Sequence, residues 1–174
     1  MTRAATPSLR LAITPGDVAL ARVLFVEYAR WLKVDLCFQG FDRELSTLPG
    51  AYAPPAGRLL LAGASREAFG CIALRPIETA SGSGKETSGA RTGTGIGEVK
   101  RLYVQPAHRS GGWGRRLAET LIADARALGY TELKLDTLDW MADARRLYAR
   151  LGFRECAAYY DNPLPGVIYM TLAL

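Results

Sequence analysis

One run of residues combines the types and spacing that chemistry needs: Val104-Gln105-Pro106-Ala107-His108-Arg109-Ser110-Gly111-Gly112-Trp113-Gly114-Arg115. A strand-like stretch feeds a glycine-rich turn, and the turn opens straight into an amphipathic helical pattern. Such a junction cradles anions. Amides of the turn and of the first helical turn lack internal acceptors and sit at the positive end of the helix dipole. Glycines at 111, 112 and 114 let a phosphate approach the backbone without meeting a Cβ. Arg109, Arg115 and Arg116 add formal positive charge. Two nucleotide motifs are excluded. Gly82-Ser83-Gly84-Lys85 is followed by Glu86 and by no helix, so it is not a Walker A loop, and Gly112-Trp113-Gly114-Arg115-Arg116-Leu117 misses the last glycine of G-x-G-x-x-G.

Other chemistries lack their residues. The single histidine, His108, leaves no plausible zinc site and no Ser-His-Asp arrangement beyond one weak candidate, and reads better as a solvated loop residue beside Pro106. Cys37, Cys71 and Cys156 are widely spaced and odd in number, so they form neither a disulfide framework nor a metal pair. With 22 basic and 17 acidic side chains the formal charge is +5, which favours anionic partners without choosing among them. No signal peptide is expected before Arg10, and Leu59-Leu60-Leu61-Ala62 is too short to span a bilayer. The 174 residues suit one domain, 1–174, expected to be soluble and cytoplasmic.

Elements must hold the cradle in place. Leu9–Thr14 reads as a strand, and Pro15-Gly16-Asp17 opens a helix whose buried face is Ala21, Leu24, Phe25, Tyr28, Trp31 and Leu32. A short helix is expected over Phe41–Leu48, and strands over Arg58–Ala64 and Ala68–Ile77. Residues 79–97, rich in glycine and poor in apolar side chains, read as a flexible loop. Glu98–Val104 resumes strand character. Arg115–Leu128 is helical with Gly129 as its stop, Leu133–Leu138 a strand, and Asp139 the expected N-cap of a helix reaching Leu151. Phe153–Tyr159 and Val167–Leu172 read as the last strands. Together these predict a mixed α/β sheet with helices on its faces.

Arg109-Ser110-Gly111-Gly112-Trp113-Gly114 resembles the R/Q-x-x-G-x-G/A pyrophosphate loop of the GNAT superfamily of acetyltransferases. It follows the strand Glu98-Val99-Lys100-Arg101-Leu102-Tyr103-Val104. Beyond it, Ala144-Arg145-Arg146-Leu147-Tyr148-Ala149-Arg150-Leu151-Gly152-Phe153 is similar to the family's A-x-x-L-Y-x-x-x-G-F helix end. Two motifs in order around a helix and a strand are far more specific than either alone. One position departs: Met141 stands where the family commonly has an asparagine, so one cofactor contact is missing or replaced.

The resemblance implies a GNAT-like mixed, mostly antiparallel central sheet of about six to seven strands flanked by about four helices. It implies an acetyl-CoA-dependent N-acetyltransferase acting on a primary amine of a small molecule or protein. Cofactor contacts would come from Leu102, Tyr103, Val104, Arg109, Ser110, Gly111, Gly112, Trp113, Gly114, Arg115 and Ala144. The pantetheine arm would lie along Leu102–Val104, with the Val104 amide as oxyanion donor. Tyr148 would assist the departing thiolate. Glu98 is the candidate base, since a lysine-like amine near pKa 10.4 requires roughly 4–5 kcal/mol to deprotonate at neutral pH. The reading against these roles makes Tyr148 part of an apolar stripe and Glu98 an exposed strand-end residue. Tyr28, Asp35, Glu44, Tyr52, Tyr159, Tyr160 and Asp161 are the polar groups available to an acceptor. No metal, membrane or nucleic-acid partner is expected, and a homodimer is left open. The competing functions are a non-catalytic CoA-binding module and a basic nucleic-acid-binding domain, the latter lacking a recognition motif.

Overall fold

The computed structural model describes residues 6–64, 66–77 and 95–174, apart from the side chain of Phe38. The chain runs β1 (Ser8–Leu11), α1 (Pro15–Leu32), α2 (Phe41–Thr47), β2 (Arg58–Gly63), β3 (Gly70–Pro76), β4 (Gly95–Val104), α3 (Trp113–Ala127), β5 (Tyr130–Leu138), α4 (Ala142–Arg150), β6 (Arg154–Glu155) and β7 (Val167–Ala173). The strands form one seven-stranded sheet in the order β1-β2-β3-β4-β5-β7-β6. Every neighbouring pair is antiparallel except β4 and β5, which run parallel. The mixed, mostly antiparallel sheet with four flanking helices is the one the sequence predicts. No helix of the described residues is long and apolar enough to cross a membrane.

Local signals explain the elements. Thr14 caps α1 through a reciprocal box with Asp17, Pro15 enters the first turn, and Ala21, Leu24, Phe25 and Leu32 are buried. Two hydrophobic clusters cover the two sheet faces. Leu117, Leu121 and Ala125 of α3 pack with Ile72, Leu74, Leu133 and Leu135. On the other face, Leu24 and Phe25 of α1 pack with Leu59, Leu61, Cys71 and Ala73.

Strand β1 ends at Leu11 rather than Thr14 and β5 begins at Tyr130 rather than Leu133, and three further boundaries differ from expectation. Asp139 is not the N-cap of α4; that place belongs to Met141, which offers no side-chain bond. The Asp139 amide donates instead to the Gly166 carbonyl at 2.8 Å, tying the end of β5 to the turn before β7. The strand expected at Phe153–Tyr159 shrinks to Arg154–Glu155, because Tyr159 and Tyr160 leave the sheet edge and pack edge-to-face on Tyr169. Strand β4 begins at Gly95 rather than Glu98. A Cβ on Gly97 would meet Leu74 at 2.8 Å and Leu133 at 2.9 Å, so β3, β4 and β5 close together only over a bare backbone. Positions 79–94 of the expected flexible loop lie outside the described residues.

Candidate active site

The site arises where two strands part. Strands β4 and β5 pair from Gly95↔Tyr130 to Glu98↔Lys134, and the pairing stops there. Three residues later β4 carries a bulge: Cys71 of β3 faces Tyr103 and Ala73 faces Lys100, leaving one extra residue on β4. Arg101 absorbs it with φ of 58°. Past the bulge, the Gln105 amide bonds the Phe69 carbonyl of the β3 side at 2.8 Å. Alternation along an antiparallel strand therefore turns the Val104 peptide groups away from β3, towards the gap beside β5. That orientation fits an amide waiting for an oxyanion and a strand edge that a pantetheine arm could pair with.

A cleft of about 530 Å³ occupies this gap, lined by Leu102, Tyr103, Val104, Arg109 and Gly114 on one side and by Met141, Ala144 and Leu147 on the other. Residues 106–111 form a 3-10 turn, and Gly112, with φ of 71°, serves as the N-cap of α3 without a side-chain bond. A Cβ on Gly112 would meet nothing within 4 Å, so the surface in front of the helix mouth is open. The first intrahelical bond runs from the Arg116 amide to the Gly112 carbonyl, which leaves the amides of Trp113, Gly114 and Arg115 to an outside acceptor. The residues present therefore fit a diphosphate joined to an extended arm.

The side chains of the run diverge. Arg109 bends into the cleft, donating from Nε to the Val104 carbonyl at 2.9 Å and lying 4.7 Å from the Trp31 ring centre. Arg115 turns outward to Glu119, and Arg116 covers the Trp113 ring. Trp113 meets Phe69 edge-on and His108 stacks on Phe69 at 4.0 Å, so these two brace the turn. Trp31 and Trp140 approach to 5.5 Å at the cleft wall. The sequence put Trp31 on a buried helical face, and nothing in its pattern distinguished a cleft wall from core.

Deeper in, a cavity of about 50 Å³ shares Leu102, Met141 and Ala144 with the cleft. Tyr148 and Asp136 line it. Tyr148 is 7% exposed, and its hydroxyl has no hydrogen-bond partner among the described residues. Burial first, then the charge of Asp136 and the neighbouring Tyr28, pushes the Tyr148 phenol well above its usual pKa. It stays protonated, a donor at any physiological pH. The same burial pushes Tyr28, also on this wall, up to about 12.

The cavity shares Gln39 and Lys100 with a groove of about 580 Å³ on the far side. Glu98 lies along the groove and not along the cavity. It is 3% exposed and fully engaged: Arg75 donates to it at 2.7 Å, Tyr159 at 3.0 Å, and the Lys100 ammonium stands 3.6 Å away. Lys100 also donates to Asp136 at 3.2 Å and to Gln39 at 3.3 Å. Of the other polar groups expected here, Tyr160 accepts from Gln39 and Asn162, and Asp161 borders the groove. Glu44 accepts from both Tyr52 and Arg101, while Asp35 accepts from the Cys37 amide. Lys100, Asp136 and Gln39 escaped the sequence reading because each sits in a segment whose pattern only marks strand or loop.

A family model described as acetyltransferase (GNAT) family matches residues 26–153. An uncharacterized N-acetyltransferase of Schizosaccharomyces pombe is 35% identical over 175 residues, spanning 100% of this chain and 99% of its own length. The crystal structure of an acetyltransferase from Streptococcus agalactiae aligns with a TM-score of 0.72 at 17% identity, covering 97% of this chain and 98% of that one. A GNAT family acetyltransferase from Elizabethkingia anophelis, solved with acetyl-CoA bound, aligns with a TM-score of 0.60 at 21% identity over 97% and 98% of the two chains.

Proposed function

The chain belongs to the acetyltransferase (GNAT) family, and from that premise we propose that it acetylates a primary amine inside the 50 Å³ cavity at the parting of β4 and β5. It is an acetyl-CoA-dependent N-acetyltransferase. One observation carries the location: this cavity shares wall residues with both the cofactor-sized cleft and the polar groove.

Bound acetyl-CoA supplies the thioester carbonyl. The open amides at the mouth of α3 hold its diphosphate, and the Val104 amide faces the developing oxyanion. Tyr148 donates its proton to the sulfur as the carbon–sulfur bond breaks, which its burial and protonated state suit. The acceptor enters from the groove, past Gln39 and Lys100, and a small molecule with an unhindered amine fits that passage best. A volume of about 50 Å³ admits an acetyl group and little more. Free thiols at Cys37, Cys71 and Cys156 support a reducing, cytoplasmic setting.

Thermal stabilisation by acetyl-CoA, followed by a primary-amine panel scored for free-thiol release, tests this reading. A melting temperature unmoved by saturating acetyl-CoA would refute the cradle. Stabilisation without thiol release from any amine would favour a binding module instead.

A further inference from the structure

Resting on the cavity as the place of transfer, we propose that Asp136 receives the proton of the acceptor amine, with Lys100 beside it holding the carboxylate in position. The two residues occupy the first step beyond the parting of the strands. Glu98 and Lys134 are the last paired residues of β4 and β5, and Lys100 and Asp136 stand two positions further along each strand. Their side chains face each other across the opening at 3.2 Å.

Among the described residues Asp136 is the sole carboxylate lining the transfer cavity, which it shares with Tyr148. Its oxygens face Lys100, Asn162 and the Tyr160 hydroxyl. Oδ1 accepts from Lys100 at 3.2 Å and Oδ2 from the Asn162 side chain at 3.4 Å. Glu98 differs in being walled in by Arg75, Tyr159 and Lys100 outside the cavity. Lys100 contributes by holding the Asp136 carboxylate in place at 3.2 Å, while its ammonium also stands 3.6 Å from Glu98. Tyr148 and Asp136 thus bracket the reaction from two sides.

Electrons and protons balance. The amine lone pair forms the new bond to the carbonyl carbon, and the carbon–sulfur pair leaves with sulfur. The excess proton on nitrogen passes to Asp136, and sulfur takes one from Tyr148. Exchange with water then returns a proton from the one residue to the other, so that only the amide and the free thiol remain.

The test compares Asp136→Asn, Asp136→Glu and Glu98→Gln in the full chain. Thiol release from acetyl-CoA is followed with a primary alkylamine, protonated at neutral pH, and with hydroxylamine, which is already neutral. Asp136→Asn should lower kcat about a hundredfold with the alkylamine and less than about tenfold with hydroxylamine. Asp136→Glu should restore part of the alkylamine rate, and Glu98→Gln should change either rate less than about tenfold. Equal losses on both amines, an alkylamine rate within about threefold of wild type, or a selective loss in Glu98→Gln would each overturn the role of Asp136. Should Asp136→Asn fail to fold, the alkylamine-to-hydroxylamine ratio of Asp136→Glu decides: a lowered ratio supports the role and an unchanged ratio removes it. Ala144→Leu, which fills the passage between cleft and cavity, checks the underlying reading separately. Unimpaired turnover in that variant would overturn the location itself, whatever the carboxylate variants do.

Discussion

Arg101 and Glu44 meet in a two-pronged ion pair, with Nη2 to Oε2 at 2.6 Å and Nε to Oε1 at 3.1 Å. Arg101 is 6% exposed, holds a left-handed backbone conformation, and lies over the Phe41 ring. Tyr52 donates to the same Glu44 carboxylate at 2.6 Å. A left-handed non-glycine residue costs about 1–2 kcal/mol. The clamp from α2 offsets that strain and fixes the bulge beside Val104, joining the proposed acceptor side of the molecule to the proposed cofactor side.

Glu44→Gln leaves the Arg101 charge buried without a counterion, and should lower stability by about 3–5 kcal/mol. Urea denaturation measures it, and KM for acetyl-CoA should rise as the bulge relaxes. The pair also predicts acid sensitivity. Burial pulls the Glu44 pKa up, but bonding and charge from Arg101 outweigh it and hold the carboxyl below its ordinary 4.5. Its contribution is therefore complete above pH 4.5 and fades as pH falls through the lowered value. Glu44→Gln should lack that segment of the acid unfolding curve.

Tyr148→Phe removes a hydroxyl with no hydrogen-bond partner among the described residues, so the melting temperature should hold nearly steady. Turnover should fall about tenfold to a hundredfold while the Kd for acetyl-CoA stays within about twofold. Steady-state kinetics with calorimetry checks both, and unchanged turnover would return Tyr148 to the core.

Gly114→Ala separates folding from binding. Its Cβ would find only Leu147 at 3.7 Å and Val104 at 4.0 Å, ordinary contacts, and alanine suits a helix better than glycine by up to about 1 kcal/mol. The protein should be as stable or slightly more so. Yet the methyl would project into the cleft, and affinity for coenzyme A should drop about tenfold or more, about 1.4 kcal/mol, by calorimetric titration.

Gly97→Ala should act the other way. The added methyl presses on Leu74 and Leu133, and overpacking of this kind costs about 1–3 kcal/mol. Thermal unfolding should show the loss, with the coenzyme site intact in whatever fraction remains folded.

The sequence revealed the fold wherever one segment carries its own signal. The capping box at Thr14 and Asp17, the apolar stripe of α3 and the glycine mouth at 111–114 are all local. The cradle was legible for the same reason. The acceptor side was legible only in part: Tyr159, Tyr160 and Asp161 were named for it and line the groove, whereas Arg75, Lys100 and Asp136 lie on three different strands and meet only once the sheet parts. The Asp139 cap failed because a contact with Gly166, distant in sequence, overrode a local preference. Glu98 was named as candidate base with an exposed strand end as the opposing reading; the exposure fails, because Arg75 across the ladder and Tyr159 from the crossing segment enclose it.

The chain's three tryptophans fall at 31, 113 and 140. Two of them stand at the cleft wall and the third heads the helix at its mouth. Every indole thus stands beside the proposed path of the coenzyme, and none is sequestered as a silent background. Unlabelled protein accordingly carries its own optical gauge of occupancy: ultraviolet emission should shift as ligand excludes solvent from these rings, letting affinity be followed by fluorimetry before any acceptor has been found.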